Sequence, residues 1–535
     1  MDRIKDIPIW IPLLLVILLS WACKGSPPPL SIHEIESHIR FLSDDLLEGR
    51  GVGSRGLAVA ALYQENYFRG LKLEPAFGES YRQIFELKGA TPDPEARLEI
   101  FSDRLTITPR FREEFVIQSF REDCPEGVEG ELIYAGYLIQ APERNWDDIK
   151  GADLKGKVLL VEINEPGNRP GGIFDGEDMT YYGRWIYKFE KAAELGATGV
   201  LIIHNTRGAA YGWEVLQNSW SRERFFLPGR KPSLYFQGWI HEKTAEAILG
   251  GAGLERSYLA ARAEQKDFAP VPLGLEARVR QKPVFRAVKT ENIAGIVRGK
   301  KRKDGDRYIL LSAHYDHLGK DERKAGDQIY NGAVDNCSAS ATLLALARYY
   351  SQKPLRSGVH LVFAAVSAEE EGLLGSDYLA RHLPFPSSSV LANLNLEMTN
   401  VWGETKDVYA IGGKHSDLDE ICRQAAKKLG LKYIPEQSGP LGFFFRSDQL
   451  SFARNGIPAV WLHEGVVSQG KDREHIQKKT EEYQKFKYHK VSDEMESDWD
   501  LRGTVQIARW AQEIIALLAR QETLPQFRET SSFHR

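Results

Sequence analysis

Three apolar runs in the second half of the chain each lead into histidine or carboxylate side chains. The runs are residues 308–313, 359–366 and 390–396. The side chains that follow them are His314, the pair Glu369 and Glu370, and Glu397. An unpaired buried carboxylate is energetically costly, and in open sheets ligands bind beyond the carboxyl ends of the strands. We therefore predict that these side chains form one site and share a divalent cation.

The alternation of strands and helices from about residue 292 onward predicts the fold of this half. The pattern predicts a further strand at residues 458–462 and helices at residues 340–350, 372–382, 418–429 and 503–519. Such alternation is typical of an α/β fold with a mostly parallel central sheet and helices on both faces. Two more helices are predicted near the N-terminus, at residues 31–47 and 57–68.

The middle of the chain has a different pattern. Short apolar strands are predicted at residues 131–134, 158–161 and 200–203, with one helix at residues 187–195. A chain of 535 residues is longer than one hydrophobic core usually organises. We therefore expect a smaller, β-rich domain inserted into the larger one.

The candidate ligands favour zinc. A fourth candidate, Asp335, lies in a polar segment just before a predicted helix. Imidazole and carboxylate ligands without thiolate suit zinc, and a set of this kind can hold two ions when one carboxylate bridges them. Glu369 and Glu370 are adjacent, so their side chains point in different directions on extended backbone. One can bind metal while the other acts as general base toward a water molecule.

Five short strings, in order along the chain, resemble the co-catalytic zinc exopeptidases. This family includes secreted bacterial leucine aminopeptidases and glutamate carboxypeptidase. The strings are residues 314–319 (HYDHLG), 335–339 (DNCSA), 368–376 (AEEEGLLGS), 395–398 (NLEM) and 488–489 (YH). The resemblance covers roughly residues 290–515 and the N-terminal helices.

The resemblance implies a two-zinc site with assigned ligands. Asp335 would bridge the ions, His314 and Glu397 would complete one site, and Glu370 and His489 would complete the other. Glu397 stands where the family usually has Asp, which puts the occupancy of one site in question. A charged insertion at residues 467–487 also departs from the family pattern.

Three further roles follow from the same resemblance. Glu369 would be the general base, Asp316 would hydrogen-bond to His314 and fix its tautomer, and Tyr488 would help to polarise the substrate carbonyl. His317 is expected to face solvent or to support its loop. Ser447 and Asp448 line the substrate pocket or belong to a turn, and these alternatives stay open.

The inserted segment resembles a protease-associated domain. The strings that carry this likeness are residues 153–158 (DLKGKV) and 192–200 (AAELGATGV). The expected organisation is a peptidase domain formed by residues 31–90 and 276–535, with the protease-associated domain at residues 91–275. Such domains commonly shape access to the cleft.

The N-terminus predicts export. Arg3 and Lys5 precede an apolar run at residues 7–19, which is long enough for a signal peptide and short for a membrane span. The run ends in a small residue followed by Cys23, which resembles a lipoprotein cleavage site. Residues 1–23 would be the signal, with Cys23 lipidated, and residues 24–30 a tether, so we expect a periplasmic or cell-envelope protein anchored in the membrane by lipid. A plain cleaved signal or an uncleaved anchor is the alternative.

The predicted reaction is hydrolysis of a terminal peptide bond, most simply at the N-terminus of peptide substrates. One alternative is a glutaminyl cyclase with a single zinc, and another is a non-catalytic receptor-like protein. Carboxypeptidase and dipeptidase action stay open, as does the oligomeric state. The formal net charge of -4 gives no reason to expect nucleic acid as a partner, and the absence of a GxSxG string disfavours a serine hydrolase.

Overall fold

The computed structural model describes residues 29–229, 234–300 and 306–535. The predicted signal peptide, the predicted lipidation site Cys23 and residues 24–28 of the predicted tether lie outside the described residues. Among the helices that are described, none is long and apolar enough to cross a membrane.

A ten-stranded sheet forms the centre of the larger domain. Its strands in spatial order are Arg224–Phe226, Arg82–Thr91, Val284–Val297, Val359–Val366, Arg307–His314, Val390–Asn395, Ala459–Glu464, Asp407–Ile411 and Lys432–Tyr433, with Glu74–Pro75 beside Val284–Val297. The α/β fold is thus confirmed.

The four inner strands are mutually parallel, and their flanking neighbours pair with them in antiparallel fashion. At one edge, Asp407–Ile411 and Lys432–Tyr433 are parallel to each other. The burial pattern gives the physical reason. All eight residues of Val359–Val366 are buried, as expected for a parallel strand covered on both faces. Burial instead largely alternates along Arg82–Thr91, which suits an antiparallel strand with one face nearer solvent. The predicted mostly parallel sheet is therefore a mixed sheet with a parallel centre.

Helices cover both faces of this sheet. Alternate residues of Arg307–His314 belong to two different apolar clusters, because Ile309 and Leu311 face one and Tyr308 and Leu310 face the other. The helices of this domain are Ile32–Leu42, Arg55–Gly70, Ala339–Gln352, Leu374–Arg381, Leu418–Lys428, Gln449–Arg454, His475–Phe486 and Arg502–Leu518.

Residues 97–280 form a second, eight-stranded sheet. Its strands in spatial order are Leu105–Ile107, Arg97–Ser102, Val271–Arg280, Gly127–Tyr134, Val158–Glu162, Gly199–His204, Phe236–His241 and Phe115–Gln118. The helices of this segment are Trp185–Glu194, Thr206–Ala209, Trp213–Ser219, Glu242–Gly251 and Arg256–Ala263. Strand Arg224–Phe226 leaves this segment and pairs with Arg82–Thr91 of the larger sheet. The likeness to a protease-associated domain stays a prediction.

The first helix ends earlier than predicted. It spans Ile32–Leu42 rather than residues 31–47, and a short 3₁₀ segment, Asp45–Arg50, follows it. Gly49 in that segment has a φ of 65°, and a Cβ there would lie 2.3 Å from the carbonyl oxygen of Gly319. The chain must therefore turn and approach the loop after His314 closely, which a continuous helix would prevent.

Arg50 joins this turn to the loops of the candidate site. Its buried guanidinium donates hydrogen bonds to the carbonyl oxygens of Tyr315 (2.8 Å), Leu42 (2.6 Å), Asn331 (2.6 Å) and Gly332 (3.3 Å). The loop that carries His314 and the loop that precedes Asp335 are thus fixed relative to each other by one side chain.

Replacing Arg50 by methionine should lower the free energy of unfolding by about 3–5 kcal/mol, because four buried carbonyl groups lose a charged donor. Guanidinium chloride denaturation measures this loss. Arg55→Met is the matched control, because Arg55 is exposed at the start of its helix. Equal denaturation midpoints for the two variants would contradict the role of Arg50.

Candidate metal centre

The ends of three neighbouring strands bring the predicted residues together. His314 is the last residue of Arg307–His314 and lies level with Val366 of the adjacent parallel strand. Glu369 and Glu370 follow that strand, and Glu397 follows Val390–Asn395 on the other side. The convergence expected from the strand ends is what the structure shows.

The first group of potential ligands is His314, Asp335 and Glu397, and all three are buried. The Nε2 atom of His314 lies 3.1 Å from Oε1 of Glu397 and 3.3 Å from Oδ1 of Asp335. The other oxygen of Glu397 accepts a hydrogen bond of 2.6 Å from the Ser447 hydroxyl. Ser447 thus holds Glu397 in place, so the long side chain of Glu397 reaches His314 in a fixed orientation.

The second group surrounds the other oxygen of Asp335. The Oδ2 atom of Asp335 lies 3.2 Å from Nε2 of His489. The same nitrogen lies 3.3 Å from Oε2 of Glu370. The Oε1 atom of Glu370 lies 2.6 Å from Nδ1 of His317. Asp335 therefore faces one imidazole with each of its two oxygens.

Of the two expectations for His317, a position facing solvent is wrong. Its side chain is buried, with 2% of the residue exposed, and it joins Asp335 and Glu370 in a potential ligand group. Its Nδ1 atom faces Glu370, but neither ring nitrogen forms a hydrogen bond of regular geometry. Gly332 leaves room for this imidazole, because a Cβ at Gly332 would lie 2.6 Å from the ring. That contact joins distant parts of the chain, so the local sequence gave no sign of it.

Asp335 is positioned by a residue that the sequence analysis missed. The carboxylate of Asp493 accepts hydrogen bonds from the backbone N–H groups of Val334 (3.0 Å) and Asp335 (3.1 Å). The hydroxyl of Tyr483 donates to the same carboxylate at 3.0 Å. Asn336 then ties this loop to the segment of Glu397, because its side chain bonds to the backbone of Leu396 and Met398.

Asp316 has a different contact from the one expected. Its carboxylate accepts the backbone N–H groups of Glu369 (3.1 Å) and Glu370 (3.2 Å). Nδ1 of His314 lies 3.2 Å from the main-chain oxygen of Asp316 and 3.7 Å from the carboxylate, which is too long for a hydrogen bond. The backbone carbonyl therefore orients the imidazole, and the side chain orients the Glu369–Glu370 segment. Burial raises the pKa of Asp316 to about 7.

Glu369 has the electrostatic environment of a proton acceptor. Burial raises the pKa of Glu369 well above its usual value, the charge of His314 opposes this, and the neighbouring Glu370 and Glu397 raise the pKa further. Among the described residues its carboxylate has no hydrogen-bond or ion-pair partner. Tyr488 lies close by, with its ring stacked on that of His489 at a centroid distance of 3.9 Å.

Asp448 is a further buried carboxylate beside this cluster. Neither of its oxygens has a hydrogen-bond partner, and burial raises the pKa of Asp448 to about 7. Its neighbour Ser447 bonds to Glu397. Of the two alternatives for this dipeptide, a place at the site fits better than an isolated turn.

Residues 292–513 match the model of peptidase family M28. The matched segment is less than half of the chain. It contains all of the potential ligands described above. The M28 segment begins in strand Val284–Val297 and ends in helix Arg502–Leu518.

The chain is also similar to curated relatives and to a solved structure. The chain is 29% identical over 315 residues to Aminopeptidase YwaD of Bacillus subtilis (strain 168), covering 58% of this chain and 53% of the relative. It is 37% identical over 100 residues to a probable zinc metalloprotease of Pyrenophora tritici-repentis (strain Pt-1C-BFP), covering 18% of this chain and 21% of the relative. The chain thus spans about half of the first relative and about a fifth of the second.

One similar solved structure is the aminopeptidase from Aneurinibacillus sp. strain AM-1. The TM-score is 0.53 and the sequences are 22% identical, with 92% of this chain and 95% of that chain covered. This likeness supports the fold of the chain.

Proposed function

We propose that the protein is a zinc-dependent exopeptidase that hydrolyses terminal peptide bonds, most simply at the N-terminus of its substrates. The observation that carries this proposal is the position of Asp335 between two imidazoles, with Oδ1 3.3 Å from His314 and Oδ2 3.2 Å from His489. A carboxylate in that position can bridge two ions. The match of residues 292–513 to the model of family M28 and the names of the two curated relatives support the same activity.

The donor atoms fit zinc. Both groups consist of imidazole nitrogens and carboxylate oxygens, the ligand types that zinc binds at about 2.0–2.2 Å. Neighbouring ligand atoms around Asp335 are 3.1 to 3.3 Å apart. Two ligand atoms on one tetrahedral zinc ion with bonds of that length also lie roughly 3.3 Å apart. Five or six donors around one shared carboxylate suit two ions better than one.

When bound, the ions would polarise the substrate carbonyl and lower the pKa of a water molecule. Glu369 accepts the proton of the attacking water and donates it to the leaving amine, for which a half-buried carboxyl with a raised pKa is suited. Asp316 keeps Glu369 in place through the two backbone N–H groups. Tyr488 donates a hydrogen bond to the oxygen of the scissile carbonyl.

Hydrolysis by the zinc-loaded protein tests this proposal. We expect release of p-nitroaniline from leucine p-nitroanilide, and at least 100-fold less from the N-acetylated substrate. Release of C-terminal residues from N-acetylated peptides would show a carboxypeptidase instead. Cyclisation of N-terminal glutamine with one zinc per chain would show a glutaminyl cyclase, and no turnover of any substrate would favour a receptor-like protein.

The second zinc site has two candidate histidines, and metal counting separates them. We propose that His489 and His317 both bind this ion, because Glu370 lies within 3.3 Å of both imidazoles. Each of the variants His317→Ala and His489→Ala should retain one tightly bound zinc and bind the second at least 100-fold more weakly. Elemental analysis after equilibrium dialysis measures this, with His33→Ala at an exposed position as the control. Two tightly bound ions in His317→Ala would exclude His317 as a ligand.

We also propose export, with Cys23 as the lipidated first residue of the mature protein. The support is the charged start, the apolar run and the small residue before Cys23. Mass spectrometry of the mature N-terminus tests this, because a lipid-modified Cys23 and an unmodified cleaved terminus differ in mass. We further propose that the inserted segment is a protease-associated domain that shapes access to the cleft.

A further inference from the structure

The charged insertion at residues 467–487 contains a helix, His475–Phe486, that packs on the core of the larger domain. Ile476 and Tyr483 are buried on this helix, and both belong to the same apolar cluster as Trp402. The ring centroids of Tyr483 and Trp402 lie 5.8 Å apart. The insertion helix is therefore a packed element of the domain.

The loop that leads into the insertion helix is also tied to this domain. The Nζ atom of Lys471 donates a hydrogen bond to the main-chain oxygen of Trp402 at 3.2 Å. The backbone N–H of Gln469 donates to the main-chain oxygen of Glu404 at 2.8 Å. These contacts and the buried side chains fix the helix on the larger domain.

The segment that carries His489 is folded onto the C-terminal end of the insertion helix. The main-chain oxygen of Tyr483 accepts a hydrogen bond from the backbone N–H of Tyr488 at 2.8 Å. The main-chain oxygen of Phe486 accepts one from the hydroxyl of Ser492 at 2.8 Å. The last carbonyl groups of a helix lack partners within the helix, and here they bind the chain on both sides of His489.

The backbone of His489 needs such support. Its φ is 56°, in the left-handed region that residues other than glycine rarely adopt. A residue keeps such a conformation when the surrounding structure determines it. The two hydrogen bonds to the helix end fix the chain around His489, and with it the imidazole, whose Nε2 lies 3.2 Å from Oδ2 of Asp335.

The side chain of Tyr483 links the same helix to Asp335. Its hydroxyl donates at 3.0 Å to the carboxylate of Asp493, which accepts the backbone N–H groups of Val334 and Asp335. With 4% of Tyr483 and 0% of Asp493 exposed, water has little access to this bond. Tyr483 thus contacts the segment of His489 through its main chain and supports the loop of Asp335 through its hydroxyl.

We propose that the insertion helix is a structural part of the second zinc site and that Tyr483 is its positioning residue. This inference rests on the proposed two-zinc function. His489 and Asp335 lie on separate segments, and Tyr483 holds the two segments in one relative position. Among the described residues, the potential ligand groups include none from the insertion helix, so the helix acts through the residues that it positions.

The substitution Tyr483→Phe removes the hydroxyl and keeps the ring in its apolar site. The second zinc should bind about 10–100-fold more weakly, the range found when a residue that supports a metal ligand is lost. The affinity for the first zinc should change less, because His314 and Glu397 follow strands of the central sheet. Competition with a chelator, followed by elemental analysis, measures both affinities.

Tyr433→Phe is the matched control for this substitution. The hydroxyl of Tyr433 also donates to a carboxylate, that of Asp419 at 2.8 Å, outside the ligand groups. Both zinc affinities should stay unchanged in this variant.

Zinc titration of the activity separates positioning from a general loss of structure. For Tyr483→Phe, kcat/KM for leucine p-nitroanilide should be low at limiting zinc and approach that of the unmodified protein at saturating zinc. Ser492→Ala removes an exposed bond to the helix end and should raise the zinc concentration for half-maximal activity in the same way. A merely stabilising helix would instead lower the Tm of both variants and leave that zinc concentration unchanged.

Metal binding also distinguishes failure of this inference from failure of the proposed function. The zinc affinities are measured without substrate, so a weaker second zinc in Tyr483→Phe supports the positioning role even if no peptide is hydrolysed, and then only the peptidase proposal fails. Unaltered affinities in Tyr483→Phe, or an equal loss at both ions, would overturn the inference and leave the peptidase proposal standing. A single bound zinc in the unmodified protein would overturn the inference as well.

Discussion

Replacement of Glu369 by glutamine should lower kcat for peptide hydrolysis by about 10²–10⁴-fold, the range attributed to general acid–base catalysis. Glutamine keeps the size of the side chain and removes its ability to accept a proton. The carboxylate of Glu369 has no hydrogen-bond or ion-pair partner among the described residues, so the substitution breaks no visible contact. Steady-state kinetics with leucine p-nitroanilide measure the loss.

Zinc content separates this effect from loss of the metal site. The Glu369→Gln protein should bind as much zinc as the unmodified protein, because the two ligand groups do not include Glu369. Glu420→Gln is the control, because it makes the same glutamate-to-glutamine change on the exposed surface of helix Leu418–Lys428. If the Glu369→Gln protein keeps an unaltered kcat, the base lies elsewhere, and Asp448 is the next buried carboxylate to test.

The parts of the site that the sequence predicts are those encoded locally. Strand Val359–Val366 has the predicted bounds, and the acids that follow it lie where strand ends converge. A run of buried apolar residues that ends in a histidine or an acid can be recognised within ten or so positions. Because parallel strands run in the same direction, the carboxyl ends of such runs then meet at one edge of the sheet.

The parts that the sequence did not predict depend on contacts between distant residues. Arg50 bonds to the carbonyl of Asn331 across 281 positions, and Asp493 bonds to Val334 across 159. An arginine in a turn and an aspartate in a charged loop are usually solvated, so neither residue stands out in the sequence. The burial of His317 depends on its close contact with Gly332. The antiparallel flanks of the sheet likewise follow from strand pairing across the insertion.

The substitution Asp335→Asn should remove one zinc ion per chain and weaken binding of the other by more than about 100-fold, because loss of a partner that merely supports a ligand already costs about 10–100-fold in affinity. Among the described residues, Asp335 is the one whose carboxylate faces both His314 and His489. Asparagine offers one oxygen, and its amide N–H₂ group would face the other ion. Equilibrium dialysis with elemental analysis gives the stoichiometry, and kcat/KM should fall with it.

The fold should tolerate this change, which makes the metal measurement interpretable. The loop of Asp335 is held by backbone hydrogen bonds to Asp493 and by the side chain of Asn336, and none of these contacts involves the Asp335 carboxylate. Asp419→Asn is the matched control. Asp419 lies on helix Leu418–Lys428, outside the ligand groups, and its carboxylate accepts a hydrogen bond from the Tyr433 hydroxyl. Two zinc ions bound with unaltered affinity in Asp335→Asn would show that no shared carboxylate is needed, and the two-ion mechanism would lose its structural basis.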